Sequence, residues 1–456
     1  MAMHTNHPVS APPAAPVRET TGHLLLRAWC VFLVTVALVG EGLVRAVGAP
    51  ITGAIVVVST VVSLAIWASV RPPLLVSRLP WLAFAFVGWA VLSLAWSAWP
   101  AASVVTLSLL LSTTFHGLFV GTVLAWRDVV RVVASAAKWA VAISLLFELV
   151  VAVAVRHPVT SGDVVWSSGH LFDGGPLQGI AGDPDQLAAV MLVALIAFGV
   201  RYAARAPRRG LLLAWMVVAG FLFVRSESAT GVVSALFVAL VLGTVLVMRT
   251  ARRPGERTRW YVLYAVVGLG GAALLWLWRE PVSIALGRAA DLAGRERVWS
   301  AVLTRADQHP FVGWGFSSPW LAGAPLVDGA MTDGGVAIAQ AHNVWLDAFL
   351  QLGAVGVVLL ALVFFAYLWR SWFFAVDRPR WDLRSDRPYS PLTLVPTLIG
   401  ALLVVQGVVD SGPLVAWGWL FVVLFGAKIK QAPLVGVGPA EQSLSIERGE
   451  LQRTGD

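Results

Sequence analysis

Apolar residues in this chain come in long runs, and polar residues sit in short clusters between them. Runs near 24–44, 50–70, 79–98, 102–125, 132–155, 184–200, 210–224, 229–248, 260–278, 343–368, 391–408 and 412–427 approach the roughly 20 residues a helix needs to cross a bilayer. The pattern predicts an all-α, polytopic integral membrane protein of about twelve transmembrane helices. Two stretches break the rhythm, one from about Arg156 to Gly182 and one from about Arg279 to Ala341. Loops that long in a packed membrane protein usually carry function. In the second, Ile284, Leu286, Leu292, Val298, Val302 and Leu303 recur at helical spacing. That spacing predicts an amphipathic helix along the membrane interface, ended by His309-Pro310. Arg288, Asp291, Arg295 and Trp299 fall three or four apart and share its other face. "FVGWGFSSP" at 311–319 follows as a glycine-punctuated turn whose backbone is a candidate ligand cradle.

Composition agrees with a membrane protein: 58% of residues are hydrophobic, 13% are charged, and 22 are Trp, a residue that favours the headgroup zone. The one cysteine, Cys30, lies in the first apolar run, so the chain has neither a disulfide framework nor a Cys/His zinc motif. The ends are polar. Residues 1–22, with "SAPPAAPV", and 431–456 read as disordered cytoplasmic tails around one transmembrane domain, 23–430, and no cleaved signal peptide is expected.

The net charge of +8 raises a nucleic-acid reading, which its placement removes. Distributed over alternate sides of the predicted helices, 25 of the 33 Lys and Arg residues fall on one side and 8 on the other. Positive-inside bias then puts both termini in the cytoplasm and both long loops outside. "RYAARAPRRG" and "RTARRPGERTRW" become topogenic clusters against an anionic inner leaflet. The unusual arginines are the outside ones, and five of them (Arg279, Arg288, Arg295, Arg297 and Arg305) lie in the second loop. A cationic face at headgroup depth suits a lipid diphosphate; the plainer alternative is contact with anionic lipid plus an internal ion pair.

"GRERVWSAVLTRADQHPFVGWGF" followed by "AHNVWLDAFLQLGAVGVVLL" resembles the signature of the O-antigen ligase and O-antigen polymerase superfamily. Gly-Arg, Trp four residues after the Arg, the Pro-x-x-Gly-x-Gly-Phe turn, His-Asn at a helix head and Leu-Gly-x-x-Gly are all present. "GIAGDPDQLA" resembles the family's Gly-x-x-Gly-Asn-Pro-Asn-x-Leu-Ala segment, with Asp183 and Asp185 in place of both Asn. "RSESATG" resembles its Ser-x-Ser-Arg-Thr-Gly segment, with Ala229 where an Arg is expected. The resemblance covers roughly 175–425. It implies a metal-independent membrane glycosyltransferase without a cofactor, in the bacterial cytoplasmic (inner) membrane. The implied donor is a polyprenyl-diphosphate-linked glycan such as one on undecaprenyl diphosphate, and the implied acceptor is a glycan or glycolipid. A ligase moves the glycan to a separate acceptor; a polymerase joins repeat units. A lipid-linked glycan transporter is the rival of another class, though no internal repeat supports it.

Such a reaction deprotonates an acceptor hydroxyl and stabilises a departing diphosphate. His342 suits the first task, because a neutral imidazole accepts a proton at working pH; otherwise it is an interfacial histidine holding a loop carbonyl. Asn343 caps the helix or orients His342. Arg295 suits the second task through its planar, always-charged fork. Arg225, at the outer end of a span, is a second diphosphate contact and a substitute for the Arg missing at Ala229; Arg288 and Arg297 stand in reserve. Trp299 and Asp183 are supporting residues. Asp183-Pro184-Asp185 also fits a metal motif, but Asp at the N-cap before Pro at the first helical position is a common helix start. Within spans, Glu148 and His116 read as helix-to-helix hydrogen-bonding groups, with a proton or ion path as the functional rival.

Overall fold

The computed structural model describes residues 21–161, 164–251, 255–278, 289–318, 332–333, 336–337, 340–377, 389–414 and 416–431. Residues 1–20 and 432–456 of the predicted tails, and Arg279, Ile284, Leu286, Arg288 and residues 319–331 of the second loop, lie outside them.

The fold is an all-helical bundle. In chain order the helices are α1 Thr21–Leu38, α2 Gly40–Val47, α3 Ala49–Val70, α4 Trp81–Leu92, α5 Pro100–Val123, α6 Trp126–Val150, α7 Pro184–Ala203, α8 Arg209–Arg225, α9 Ala229–Thr250, α10 Glu256–Leu277, α11 Ala289–Ala306, α12 Val344–Val376, α13 Val395–Val409 and α14 Ala416–Gln431. Every predicted apolar run carries a helix. Among the described residues, eight helices are long and apolar enough to cross a membrane: α1, α3, α5, α6 with its extension to Val155, α7, α9, α12, and α13 with its lead-in from Pro391. The other four positions hold α4, which runs on to Trp96, the 17-residue α8, the 16-residue α14, and α10, whose first turn carries Glu256, Arg257 and Arg259.

The run read as one span over 24–44 is two helices. Gly40-Glu41-Gly42 interrupts the apolar pattern: α1 stops at Leu38 and α2 restarts at Gly40, carrying Glu41 and Arg45. Two short antiparallel hairpins also escape the apolar pattern. They are β1 Val159–Ser161 with β2 Val164–Ser167, and β3 Thr332–Asp333 with β4 Val336–Ala337.

The core is built from α5 against α14, α7 against α6 and α8, α9 against α13, α1 against α6, and α12 against α4. In lipid, helices associate by close van der Waals contact rather than by a hydrophobic drive, so small residues mark the seams. Gly117 and Gly121 form such a seam: a Cβ on them would meet the Leu420 and Leu424 carbonyl oxygens at 2.8 and 3.0 Å. The opposite surfaces of α3, α8 and α9 expose Val58, Val61, Val217 and Leu236, the residues expected against acyl chains.

Of the two in-span polar groups expected to bond helix to helix, His116 does so and Glu148 instead holds a loop. His116 Nε2 lies 3.1 Å from Thr60 Oγ1, joining α5 to α3. Glu148 is fully buried and anchors the first loop. Its carboxylate accepts the Gly179 and Gln178 amides at 2.6 and 3.1 Å and the Ser167 hydroxyl at 2.7 Å.

Candidate active site around the head of α12

α12 starts at Val344 because Asn343 caps it. The Asn343 Oδ1 accepts the Trp345 and Leu346 amides at 3.0 and 3.2 Å, and its Nδ2 donates to the Val408 carbonyl at 3.1 Å. The cap satisfies two of the amides a helix start leaves unpaired and ties α12 to the end of α13.

His342 precedes the cap with φ of +50°, a left-handed conformation rare for a side chain other than Gly or Asn. Its neighbour Ala341 is fixed on both sides. The Trp299 indole donates to the Ala341 carbonyl at 3.0 Å, and both Asp347 carboxylate oxygens lie 3.3 Å from the Ala341 amide. Asp347 is fully buried and also accepts the Ser411 hydroxyl. Strain of this kind persists only where surrounding contacts impose it.

α11 is the described part of the predicted amphipathic helix. Val298, Val302 and Ala306 pack against Ala341 and Leu350, with Trp99 and Trp314 around them, while Leu303 faces out at 41% exposure. Arg295 lies one turn before Trp299 on α11; its side chain, like all of Arg288, is outside the described residues. Arg297 is exposed.

The turn at 311–319 serves a different end from the ligand cradle expected of it. α12 is interrupted at Gly353, with φ of +63° and ψ of −167°. The break frees three carbonyls: Leu350 and Gln351 accept the Trp314 and Gly315 amides at 3.0 and 2.9 Å, and Leu352 accepts the Trp89 indole at 3.1 Å. In return, the Pro310 carbonyl accepts the Ala354 amide at 2.8 Å. Phe316 and Ser317 then donate their amides to Ser93 Oγ and Gln351 Oε1, both at 2.9 Å. The turn's amides satisfy a broken membrane helix instead of a ligand.

His342 faces a polar cluster drawn from distant parts of the chain. Gln340 Nε2 lies 3.4 Å from His342 Nδ1 and also reaches the Asp410 carboxyl. Asp410, 5% exposed, accepts the Gln186 amide at 2.5 Å and the Ser411 backbone amide at 2.8 Å. Asp183 caps α7 by accepting the Gln186 backbone amide at 2.8 Å. Asp185 turns away to Ser228 and to Thr230, the latter at 3.2 Å, so the "GDPDQLA" and "RSESATG" segments meet here. Arg225 donates to the His170 carbonyl at 2.6 Å and lies 3.6 Å from Glu227, tying the first loop to the end of α8.

The cluster is acidic. Burial, then the charge of Asp183, pushes the Asp410 carboxyl up to about 7 against the Ser411 amide. Burial also raises Asp183, with Arg45 opposing. Surrounding protein, then Asp183 and Asp410, push Glu41 up to about 8 against Arg45, although its side chain still reaches solvent.

Thus the fold gathers His342, Asn343, Trp299 and Asp183 around one end of the bundle. It adds Asp347, Asp410, Gln186, Gln340, Glu41 and Arg45, which the sequence reading did not single out. Asp347 carried a visible signal, a lone carboxylate inside an apolar run, of the same kind that drew attention to Glu148.

A sequence model of the family described as O-antigen ligase matches residues 214–361. The match covers about a third of the chain. The matched segment runs from α8 into α12 and contains Arg225, Arg295, Trp299, His342, Asn343 and Asp347. Asp183, Gln186 and Asp410 contribute from outside it. The chain is also 30% identical over 202 residues to the exopolysaccharide production protein ExoQ of Rhizobium meliloti (strain 1021). That similarity spans 42% of this chain and 43% of the length of ExoQ. The O-antigen ligase resemblance read from the motifs therefore stands, on a polytopic membrane protein.

Proposed function

We propose that this protein is a membrane glycosyltransferase that moves a polyprenyl-diphosphate-linked glycan onto an acceptor hydroxyl at the outer face of the cytoplasmic membrane, in the manner of an O-antigen ligase. One observation carries the reading: His342, inside the family segment, is held strained at the polar head of α12 by contacts to both of its neighbours.

In the proposed reaction, His342 Nε2 takes the acceptor hydroxyl's proton as the oxygen bonds to the anomeric carbon. The bond from that carbon to the diphosphate oxygen breaks, and the leaving diphosphate carries the electron pair. As placed, the Gln340 amide nitrogen lies against Nδ1, so Nε2 serves as the base only after that amide turns its oxygen to a protonated Nδ1. The leaving charge is assigned to Arg295, with Arg225 and Arg288 as further cations. Asn343 and Trp299 position His342. Asp183 organises the wall with Gln186 and Asp410. Residues 23–430 form the catalytic domain, and metal takes no part.

A second reading, a polysaccharide polymerase, draws support from the similarity to a protein named for exopolysaccharide production. Reconstitution with a polyprenyl-diphosphate oligosaccharide tests both. Single transfer to a foreign acceptor identifies a ligase, and a ladder of repeats identifies a polymerase. Lipid scrambling without a covalent product rejects both in favour of a transporter.

A further inference from the structure

At the end of α7 opposite the candidate site, about 30 Å along a 20-residue helix, lies a cavity of about 320 Å³. Three pieces of chain meet there: the first turns of α6, the last turn of α7 with the loop beyond it, and the single 3-10 turn Pro391–Leu394 before α13. Four arginines line it. Arg127 and Arg131 come from α6; Arg201 and Arg205 come from the end of α7 and its loop. Trp126 and Leu392 supply an apolar wall beside them.

Topogenic charge does not require this arrangement. Positive-inside bias asks for cations near a membrane face, and scattered ones satisfy it. Here two pairs, each four residues apart, converge on one concavity, where like charges repel. The α6 pair also sits at a helix N-terminus, the end whose dipole disfavours cations and attracts anions. Asp128, 3% exposed, offsets part of the charge by taking Arg131 at 2.8 Å, Arg27 at 3.7 Å and His23 at 3.3 Å. The wall remains cationic, with apolar surface at its side and a volume at the lower end of small-molecule sites.

We propose that this cavity binds the phosphate headgroup of an anionic lipid in the leaflet opposite the candidate active site. The arginines take the phosphodiester oxygens, and the Trp126 and Leu392 wall takes the apolar start of the lipid. The assignment is independent of glycosyl transfer.

The test is thermal unfolding of the purified full-length protein in detergent. It is titrated in parallel with phosphatidylglycerol, cardiolipin, phosphatidylcholine, inorganic phosphate and diphosphate. The anionic lipids should raise the midpoint, while phosphatidylcholine and the free anions at matched concentration should not. Arg201→Gln with Arg205→Gln should raise the lipid concentration required by about tenfold or more. Arg127→Gln, at an exposed position, provides a milder variant should the pair fail to fold, and should weaken binding several-fold. Arg208→Gln with Arg209→Gln, nearby but outside the cavity, should leave binding within about twofold. Equal loss in that control pair overturns the site in favour of diffuse leaflet attraction. Equal stabilisation by free phosphate or diphosphate overturns the lipid assignment.

Discussion

Trp299 and Asp347 grip the same residue from opposite sides. The indole of Trp299 holds the Ala341 carbonyl, and the buried carboxylate of Asp347 holds the Ala341 amide. One grip comes from α11 and the other from within α12, so the residue before His342 is fixed independently of any ligand.

If this grip sets the histidine, Asp347→Ala should lose turnover through misplacement of His342. The Ala341 amide and Ser411 hydroxyl would lose a buried acceptor, at about 1–3 kcal/mol for each group left unpaired. The thermal midpoint should fall, and kcat should fall further than the stability loss explains, with donor KM little changed. Turnover within a few-fold of wild type in folded Asp347→Ala would remove Asp347 from the positioning machinery.

Gly353→Ala tests the broken helix. Its φ of +63° is strained for any residue with a Cβ, and that atom would lie 2.2 Å from the Phe311 carbonyl carbon. The turn at 310–315 should separate from α12 and take α11 with it. Overpacking alone costs about 1–3 kcal/mol, so a fall in thermal midpoint and a loss of transfer are expected together. An unchanged midpoint would mean that the turn is not anchored through this break.

Helix positions were legible in the sequence because bilayer length and apolar content are strong constraints, and every predicted run carries a helix. The break inside 24–44 carries a signal, Gly40-Glu41-Gly42, which the apolar residues running on either side outweigh. His342, Asn343 and Trp299 were visible because a local motif contains them. Asp410 and Gln186 meet across 224 positions of sequence, a contact that periodicity cannot encode. The glycine-rich turn misled for a related reason: its spacing announces irregular backbone, but only the fold shows that the broken helix α12 is what it serves.

The carboxyl cluster predicts a pH effect on stability. Asp410 titrates near about 4 in an unfolded chain and about 7 in the fold, so the folded state holds a proton between those values. Its contribution is fully present below the unfolded value and is lost as pH rises through the folded one. The thermal midpoint should therefore decline between about pH 4 and about pH 7, and Asp410→Asn, which cannot ionise, should flatten the decline. An equally steep decline in Asp410→Asn would place the proton elsewhere, first at Asp183 or Glu41.

Orientation is tested by labelling in intact cells. Cys30 is fully buried and gives little background. Asp173, in the first loop, and Thr250, at the end of α9, are both exposed. A membrane-impermeant maleimide should react with Asp173→Cys from outside, and with Thr250→Cys only after permeabilisation. The reverse pattern would invert the topology and move the proposed reaction to the other face.

The strictest test falls on His342 itself. General-base catalysis is worth about 10²–10⁴-fold, so His342→Ala should lose that much turnover at saturating donor while donor binding persists. The wild-type rate should fall on the acidic side of its optimum as the imidazole protonates, and that limb should be missing from His342→Ala. Asn343→Ala should lose less, because it removes a helix cap worth about 1 kcal/mol and leaves the imidazole in place. Arg295→Lys separates charge from geometry: it keeps the cation but loses the planar fork, and should lose most activity if Arg295 meets the diphosphate. Suppose instead that folded His342→Ala transfers glycan within a few-fold of wild type. The strained backbone and its two grips would then serve only to start α12, and the base would have to be sought among Glu227 and Asp183.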